Sequence, residues 1–478
     1  VGPDASTPKH ELVTSPSIGA DMPTTTAARR YLCTLLLATG LVATPAPVSA
    51  RPGVAWGECP AAPPGQFRHP ALQCASVEVP LDHRRAGGPK LRVAISRIPA
   101  ANPATRRGVL FTNPGGPGER GLDYPGRLAT WLPADVLDRY DLIGMDPRGI
   151  GESDPISCGI DAATPLDLAL PYPAADGSIA RNVAYARATA AGCAARTGSR
   201  LAHITTVNTA RDMDRIRAAL GERSISYLGT SYGTYLGTVY RQLFPRRTDR
   251  MLLDSALDPT LVWRETWRLW NEAFAGRLPD FTGWLAARDD AYHFGTDPGA
   301  VTGRYVALTD RLDRAPVTAP DGTVANGNYL REVTRQLLYD DSNFPILAEF
   351  WRLLDSGLGA PSLPAQDENF MAAFYAISCN DAPWPRSPMR YAIDVAVDRH
   401  RYPLTAGMPA NIWPCAFWPH EPAQPLTITA GGARNVLIVH QTRDPSMPLS
   451  SARGLRRTLG RAAVLVAVDG GGHLAFGR

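Results

Sequence analysis

"ISYLGTSYGTYLG", residues 225–237, runs an apolar segment into a serine set between two glycines. Gly229-Thr230-Ser231-Tyr232-Gly233 fits G-x-S-x-G, the strand-to-helix elbow that raises a serine hydroxyl above the end of a parallel sheet. The glycines have a steric task there. The turn is sharp, and side chains at those two positions would strike the strand or the helix. Glycine and serine are common, so the surroundings decide whether Ser231 is a nucleophile or a turn residue.

Upstream and downstream, strands alternate with helices and with loops at the strand C-termini. "GVLFTNPGGPG" (108–118) and "YDLIGMDPRGIGES" (140–153) each run a strand into a loop. "TTVNTARDMDRIRAAL" (205–220) reads as an amphipathic helix with Thr209 or Asn208 as its cap, and "RMLLDSALDP" (250–259) is another buried strand. Before them, "ASVEVPLDH" (75–83) alternates as an edge strand ended by Pro80, and "KLRVAISRIPA" (90–100) is its neighbour. This order predicts an α/β fold with a mostly parallel, doubly wound sheet. From about 260 to 430 the pattern changes. "LVWRETWRLWNEAF" (261–274) carries aromatics at helical spacing, and tryptophan and proline recur in "APWPRSP" and "NIWPCAFWPH". This stretch predicts a helical lid inserted over the sheet, with most of its tryptophans packed in a core. The sheet resumes with "RNVLIVHQTRDPSMP" (434–448) and "AAVLVAVDGGGHL" (462–474). The expected parts are thus 1–50 (extension and export signal), 51–259 and 431–478 (core), and 260–430 (lid).

A serine hydroxyl is a weak nucleophile at neutral pH. It needs a base within hydrogen-bond reach and a third group that fixes the base's tautomer. With the elbow geometry these partners follow in the order Ser, Asp/Glu, His. Asp444 follows one late strand and His473 the next. Of the nine histidines, only His473 sits in a glycine-rich loop directly after a C-terminal strand. Asp469 is a rival acid but lies too near His473 in the chain. "NPGGPGERG" (113–121) offers backbone N–H groups after a strand, so Gly116 with Tyr232 would form an oxyanion hole. A phosphate cradle is the competing reading of that loop, but it lacks G-K-[ST] and Rossmann spacing. Asp146 and Arg148 read as braces of their loop.

Composition narrows the function classes. The 478 residues carry 49 Lys+Arg against 45 Asp+Glu, a formal charge of +4, which gives no reason to expect a nucleic-acid partner. Hydrophobic content of 44 % and charged content of 20 % suit a large packed core. Arg29-Arg30, the apolar run at 31–43 and small residues ending at Ala50 read as a cleavable export signal, for which Met22 is the expected start. The run is short for a bilayer span, so no stable membrane anchor is expected after cleavage. Beyond it lie Cys59, Cys74, Cys158, Cys193, Cys379 and Cys415, an even number in an exported chain. Six cysteines allow 15 pairings, and their succession favours Cys59–Cys74, Cys158–Cys193 and Cys379–Cys415. No clustered Cys/His spacing supports a metal site, and no motif calls for a cofactor.

"NPGGPG", "DPRGIGESDP", "YLGTSYGTYLG", "RMLLDSALDP" and the Asp444 and His473 loops together resemble the secreted tripeptidyl aminopeptidase-like α/β-hydrolases of actinobacteria, relatives of the prolyl aminopeptidases. The resemblance spans most of residues 55–478. It implies an α/β-hydrolase fold and an extracellular serine exopeptidase that releases short peptides from free N-termini. The chain departs from that family at Glu119-Arg120, where small residues are usual. An aminopeptidase has to hold the substrate's α-ammonium, which calls for a carboxylate. Glu119 and Asp381 are the candidates; their structural alternatives are a salt bridge to Arg120 and a hydrogen bond anchoring the lid. The same triad also suits an esterase, a lactonase or a hydrolase trimming a secondary-metabolite precursor. The expected partner is therefore a peptide or small-molecule acyl substrate. A binding protein on a hydrolase scaffold is the remaining reading.

Overall fold

The computed structural model describes residues 53–62, 67–319, 322–357, 359 and 367–476, so the proposed export signal lies outside the described residues. Apolar alternation gives way to solid apolar runs towards the middle of the sheet, as expected when both faces are covered. The strands are β1 (Gln73–Pro80), β2 (Lys90–Ile98), β3 (Gly108–Asn113), β4 (Tyr140–Met145), β5 (Ile225–Thr230) and β6 (Thr248–Asp254). A two-residue hairpin, β7 (Val317–Thr318) with β8 (Val324–Ala325), stands apart, and β9 (Val436–Arg443) and β10 (Ala463–Gly471) complete the main sheet.

The sheet order is β1-β2-β4-β3-β5-β6-β9-β10. β1 with β2 and β2 with β4 pair antiparallel; every pairing from β4 to β10 is parallel. After β3 the chain steps to one side to form β4, then crosses back to form β5 on the other. Loops leaving β3 and β5 therefore diverge, which opens a crevice at the carboxyl ends of those strands. The helix Tyr232–Leu243 leaves the crevice and packs against Thr206–Ala219. The latter helix starts three residues before Thr209: Thr205, in extended backbone, caps it by accepting the Asn208 N–H at 3.1 Å.

Between β6 and β9 the chain builds helices Trp270–Ala286, Pro298–Arg314, Gly327–Leu337, Phe344–Ser356, Glu368–Asp381 and Pro388–Arg401. They enclose a second core in which Trp351 stacks on Tyr305 at 4.6 Å and meets Phe281 edge-on. The connection from β4 to β5 joins this layer, which the sequence pattern did not disclose. Its Tyr172 hydroxyl donates to Glu332 at 2.9 Å, and Asn328 and Asn411 donate to the Pro173 and Pro171 carbonyls. Disulfides link Cys59 with Cys74, Cys158 with Cys193 and Cys379 with Cys415.

Candidate active site

Ser231 follows β5 and heads the Tyr232–Leu243 helix with φ 53° and ψ −123°. A non-glycine residue in such a conformation costs about 1–3 kcal/mol and needs support from its surroundings. Its N–H donates to the Asp254 carbonyl at 2.9 Å, and its carbonyl accepts the Thr234 N–H at 2.9 Å and hydroxyl at 2.7 Å. A Cβ on Gly229 would lie 2.5 Å from the Gly233 carbonyl oxygen, and one on Gly233 would lie 2.7 Å from Asn113 Oδ1. Both glycines are thus required by close approach of strand, helix and the β3 loop.

Asp444 directly follows β9, and His473 lies two residues beyond β10. His473 Nδ1 stands 3.0 and 2.9 Å from the two carboxylate oxygens of Asp444. This contact sets the proton on Nδ1 and leaves Nε2 as the ring's acceptor. Asp444 is buried, and its Oδ1 also accepts the N–H groups of Ser446 (2.8 Å) and Met447 (2.9 Å). Burial alone would push its pKa up, but His473 and the Met447 N–H outweigh that and hold it at about 2. The acid is ionised at neutral pH.

Two braces escaped the sequence reading. His440 is buried within β9, accepts the Ala256 N–H at Nδ1 and meets the Met447 carbonyl through Nε2 at 2.8 Å; burial holds its pKa down. Asp254 and Ser255, at the end of β6, grip the chain beyond His473. Ser255 Oγ accepts the Leu474 N–H at 2.8 Å, and Asp254 accepts those of Ala475 and Phe476. "RMLLDSALDP" held the signal, an acid and a serine at a strand's carboxyl end, but only its strand was read. Asp469 does not face the imidazole; it is largely exposed and pairs with Arg443 at 2.8 Å. Asp146 accepts the N–H groups of Gly121, Leu122 and Glu152, and Arg148 forks onto Asp212, so both brace loops.

Ser231, Tyr232, Gly116 and His473 line one cavity of about 910 Å³ beneath the lid. Trp267, Trp270, Phe370 and Phe374 supply an aromatic wall, with Trp267 stacked on Phe374 at 5.0 Å. Most lid tryptophans pack in a core, and these two also face the cavity. Glu119 lies in the same lining. Its carboxylate is open to the cavity yet enclosed by protein, and that desolvation raises its pKa against the opposing pull of Arg127 and Arg120. Arg120 pairs with Asp367 at 3.3 Å, and among the described residues no salt bridge engages Glu119.

Asp381 has to be removed from the candidates for the ammonium site. It ends the Glu368–Asp381 helix, is buried and lies outside the cavity lining. Its oxygens accept the Thr206 N–H at 2.9 Å, the Thr206 hydroxyl at 2.6 Å and the Trp263 indole N–H at 3.2 Å. Every one of these donors is protein, so the carboxylate is consumed in joining lid to core.

The sequence model of the alpha/beta hydrolase fold family matches residues 108–477. The chain belongs to that family. It is 36 % identical to the tripeptidyl aminopeptidase of Streptomyces lividans over 89 % of this chain and 82 % of that protein. It is 31 % identical to the serine protease Hip1 of Mycobacterium tuberculosis, over 88 % and 85 % of the two chains. A protein named carboxylesterase B from the same organism is 33 % identical over 90 % and 86 %. This alpha/beta hydrolase is a serine hydrolase of the peptidase kind, and its three disulfides suit an oxidising compartment.

Proposed function

We propose that Ser231, His473 and Asp444 act as nucleophile, base and orienting acid in an exported exopeptidase that removes short peptides from free N-termini. The observation that carries this reading is the Asp444–His473 pair opening, with the Ser231 elbow, on a lid-covered cavity that also holds Glu119, a carboxylate with no salt bridge among the described residues. His473 Nε2 takes the Ser231 proton as Oγ adds to the scissile carbonyl. The N–H groups of Tyr232 and Gly116 receive the oxyanion; that of Tyr232 opens a helix, where N–H groups have no intrahelical acceptor. Collapse breaks the C–N bond, and the imidazolium returns its proton to the leaving amine. Water, deprotonated by the same imidazole, then releases the peptide acid from the acyl-enzyme and restores Ser231.

Glu119 takes the substrate's α-ammonium in this reading, and the aromatic wall receives apolar side chains. The name of the Streptomyces relative supports the peptide assignment. The carboxylesterase-named relative supports a second reading, in which the aromatic wall binds an acyl chain and Glu119 has no ligand. Measuring kcat/KM for a free peptide, its N-acetylated form and a simple ester separates the two. Acetylation removes the charge and leaves Glu119 unpaired, which should cost about 2 kcal/mol, or about thirtyfold. Equal rates for both peptides, or preference for the ester, would transfer the assignment to the esterase. Export rests on the signal at residues 22–50; an N-terminus other than Arg51 in the mature protein would contradict the cleavage site.

A further inference from the structure

The loop that carries His473 is held by the lid as well as by the sheet. Its backbone N–H donates to the carbonyl of Tyr339 at 2.8 Å, and the two rings meet edge-on with centroids 4.9 Å apart. Tyr339 lies just beyond the lid helix Gly327–Leu337 and is itself fixed. Its hydroxyl accepts from Arg335 at 3.2 Å. Arg335 forks onto the buried Glu332 at 3.0 and 2.5 Å, and Glu332 also accepts from Tyr172 and Gln336.

A second lid segment reaches the other side of the same loop. Arg277, on the helix Trp270–Ala286, is buried; it donates to the Leu338 carbonyl at 3.1 Å and pairs with Asp280 and Asp341. Asp280 in turn accepts Arg443 Nε at 2.9 and 2.8 Å, one residue before the orienting acid. A Cβ on Gly471 would lie 1.8 Å from Arg277 Nη1 and 2.4 Å from Asp280 Oδ2. The Arg277 and Asp280 side chains thus close directly over Gly471, two residues before His473.

We infer that Tyr339 and Asp280 are positioning residues: the lid sets the distance and orientation of the His473 imidazole, so the base is aligned only while the lid is seated. The chain of contacts runs from Glu332 through Arg335 and Tyr339 to His473, and from Arg277 through Asp280 to Arg443 beside Asp444. The inference rests on the reading of His473 as base. Misplacement of a reacting group by about 1 Å can cost 10²-fold in rate, so a loosened base lowers kcat without weakening substrate binding.

The test compares Tyr339→Ala, Tyr339→Phe and Asp280→Asn with His473→Ala, reading kcat, KM and the rate at which a serine-reactive phosphonate labels Ser231. Tyr339→Ala should lower kcat about thirtyfold with KM within about threefold, and slow labelling by the same factor. Tyr339→Phe keeps the ring against the imidazole and loses only the hydroxyl contact with Arg335, so it should restore kcat to within about threefold of wild type. Asp280→Asn, at a partly exposed position, should lower kcat about fivefold and serves where Tyr339→Ala yields no folded protein. Wild-type kcat in both Tyr339→Ala and Asp280→Asn beside an inactive His473→Ala would overturn the inference and leave the base assignment standing. Parallel losses in kcat and KM unrelieved in Tyr339→Phe would also overturn it, because Tyr339 would then be a substrate contact or a general support. An active His473→Ala would overturn the base reading itself.

Discussion

The carboxyl edge of the sheet and the lid above it solve different problems with different kinds of information. At the sheet edge each proposed catalytic group follows a strand within three residues: Ser231 after β5, Asp444 after β9, His473 after β10. Parallel pairing of neighbouring strands then brings these strand ends together, so a short local pattern is enough to place a side chain. In the lid the decisive contacts join residues far apart in the chain, such as Tyr172 with Glu332 and Thr206 with Asp381. Nothing within ten residues of either partner announces them. Chemistry is thus written locally, and access to it is written in tertiary packing.

Removing the proposed nucleophile should break the sheet-edge half while sparing the lid. Ser231→Ala is expected to lower kcat by roughly 10⁴- to 10⁶-fold, with an unchanged thermal midpoint and unchanged binding of a slow substrate analogue. Residual activity above about one part in a hundred would move the nucleophile elsewhere. Asp444→Asn comes next. An amide at that position favours the wrong imidazole tautomer while keeping the shape, so kcat should fall about 10⁴-fold with KM little changed. Wild-type turnover in that variant would show that the His473 tautomer is fixed by something other than Asp444.

Glu119 sharpens the comparison because it belongs to both halves: it leaves the β3 loop and faces the cavity under the lid. Glu119→Gln should lower kcat/KM for a free peptide about thirtyfold and leave the N-acetylated peptide unaffected. Its enclosed carboxyl has a raised pKa, so it takes up a proton at higher pH than an ordinary glutamate. The preference for free over acetylated peptide should therefore be present at neutral pH and fade as pH falls, before an exposed glutamate would protonate. A preference that persists in the glutamine variant would point to another acid on the cavity wall.

What could be read from the sequence follows the same division. The parallel sheet was legible because several strand runs end in glycine-rich loops, and Ser231, Asp444 and His473 stood out as candidates because each follows a strand run within two residues. His440 was not, since a histidine inside an apolar strand carries no sign that both its nitrogens are engaged. The part of the lid built from the β4–β5 connection was hidden for another reason. Its residues reach the lid through isolated hydrogen bonds, such as Tyr172 with Glu332 and the Pro173 and Pro171 carbonyls with Asn328 and Asn411, which leave no period in the sequence. "SCNDAPW" showed an acid near a cysteine, but whether Asp381 met solvent, substrate or a helix terminus depended on where residue 206 lay. The helix start at Thr206 supplies the answer: a carboxylate beside the first N–H groups of a helix completes hydrogen bonds that the helix itself cannot make.

Asp381 gives the smallest expected effect on catalysis and the clearest one on how lid and core are joined. Burial raises its carboxyl pKa to about 6, with the Thr206 and Trp263 donors opposing that rise. The ordinary value in an unfolded chain is about 3.9. Between these two values the native state holds a proton that the unfolded chain has released, so stability should decline as pH rises from about 4 to about 6. The loss amounts to about 3 kcal/mol and is complete above that window. Asp381→Asn removes the titration. Its oxygen still accepts the Thr206 N–H and its amide donates to the Thr206 hydroxyl, but the Trp263 indole loses its acceptor, at a cost of about 1–3 kcal/mol. The variant should therefore be less stable than wild type at pH 4 and close to it at pH 8, while the ratio of rates on free and acetylated peptide stays the same. Denaturant unfolding at the two pH values, with the peptide pair assayed at pH 8, checks both halves. Equal stability differences at pH 4 and pH 8 would remove the buried titration, and a collapsed peptide ratio would return Asp381 to the substrate site.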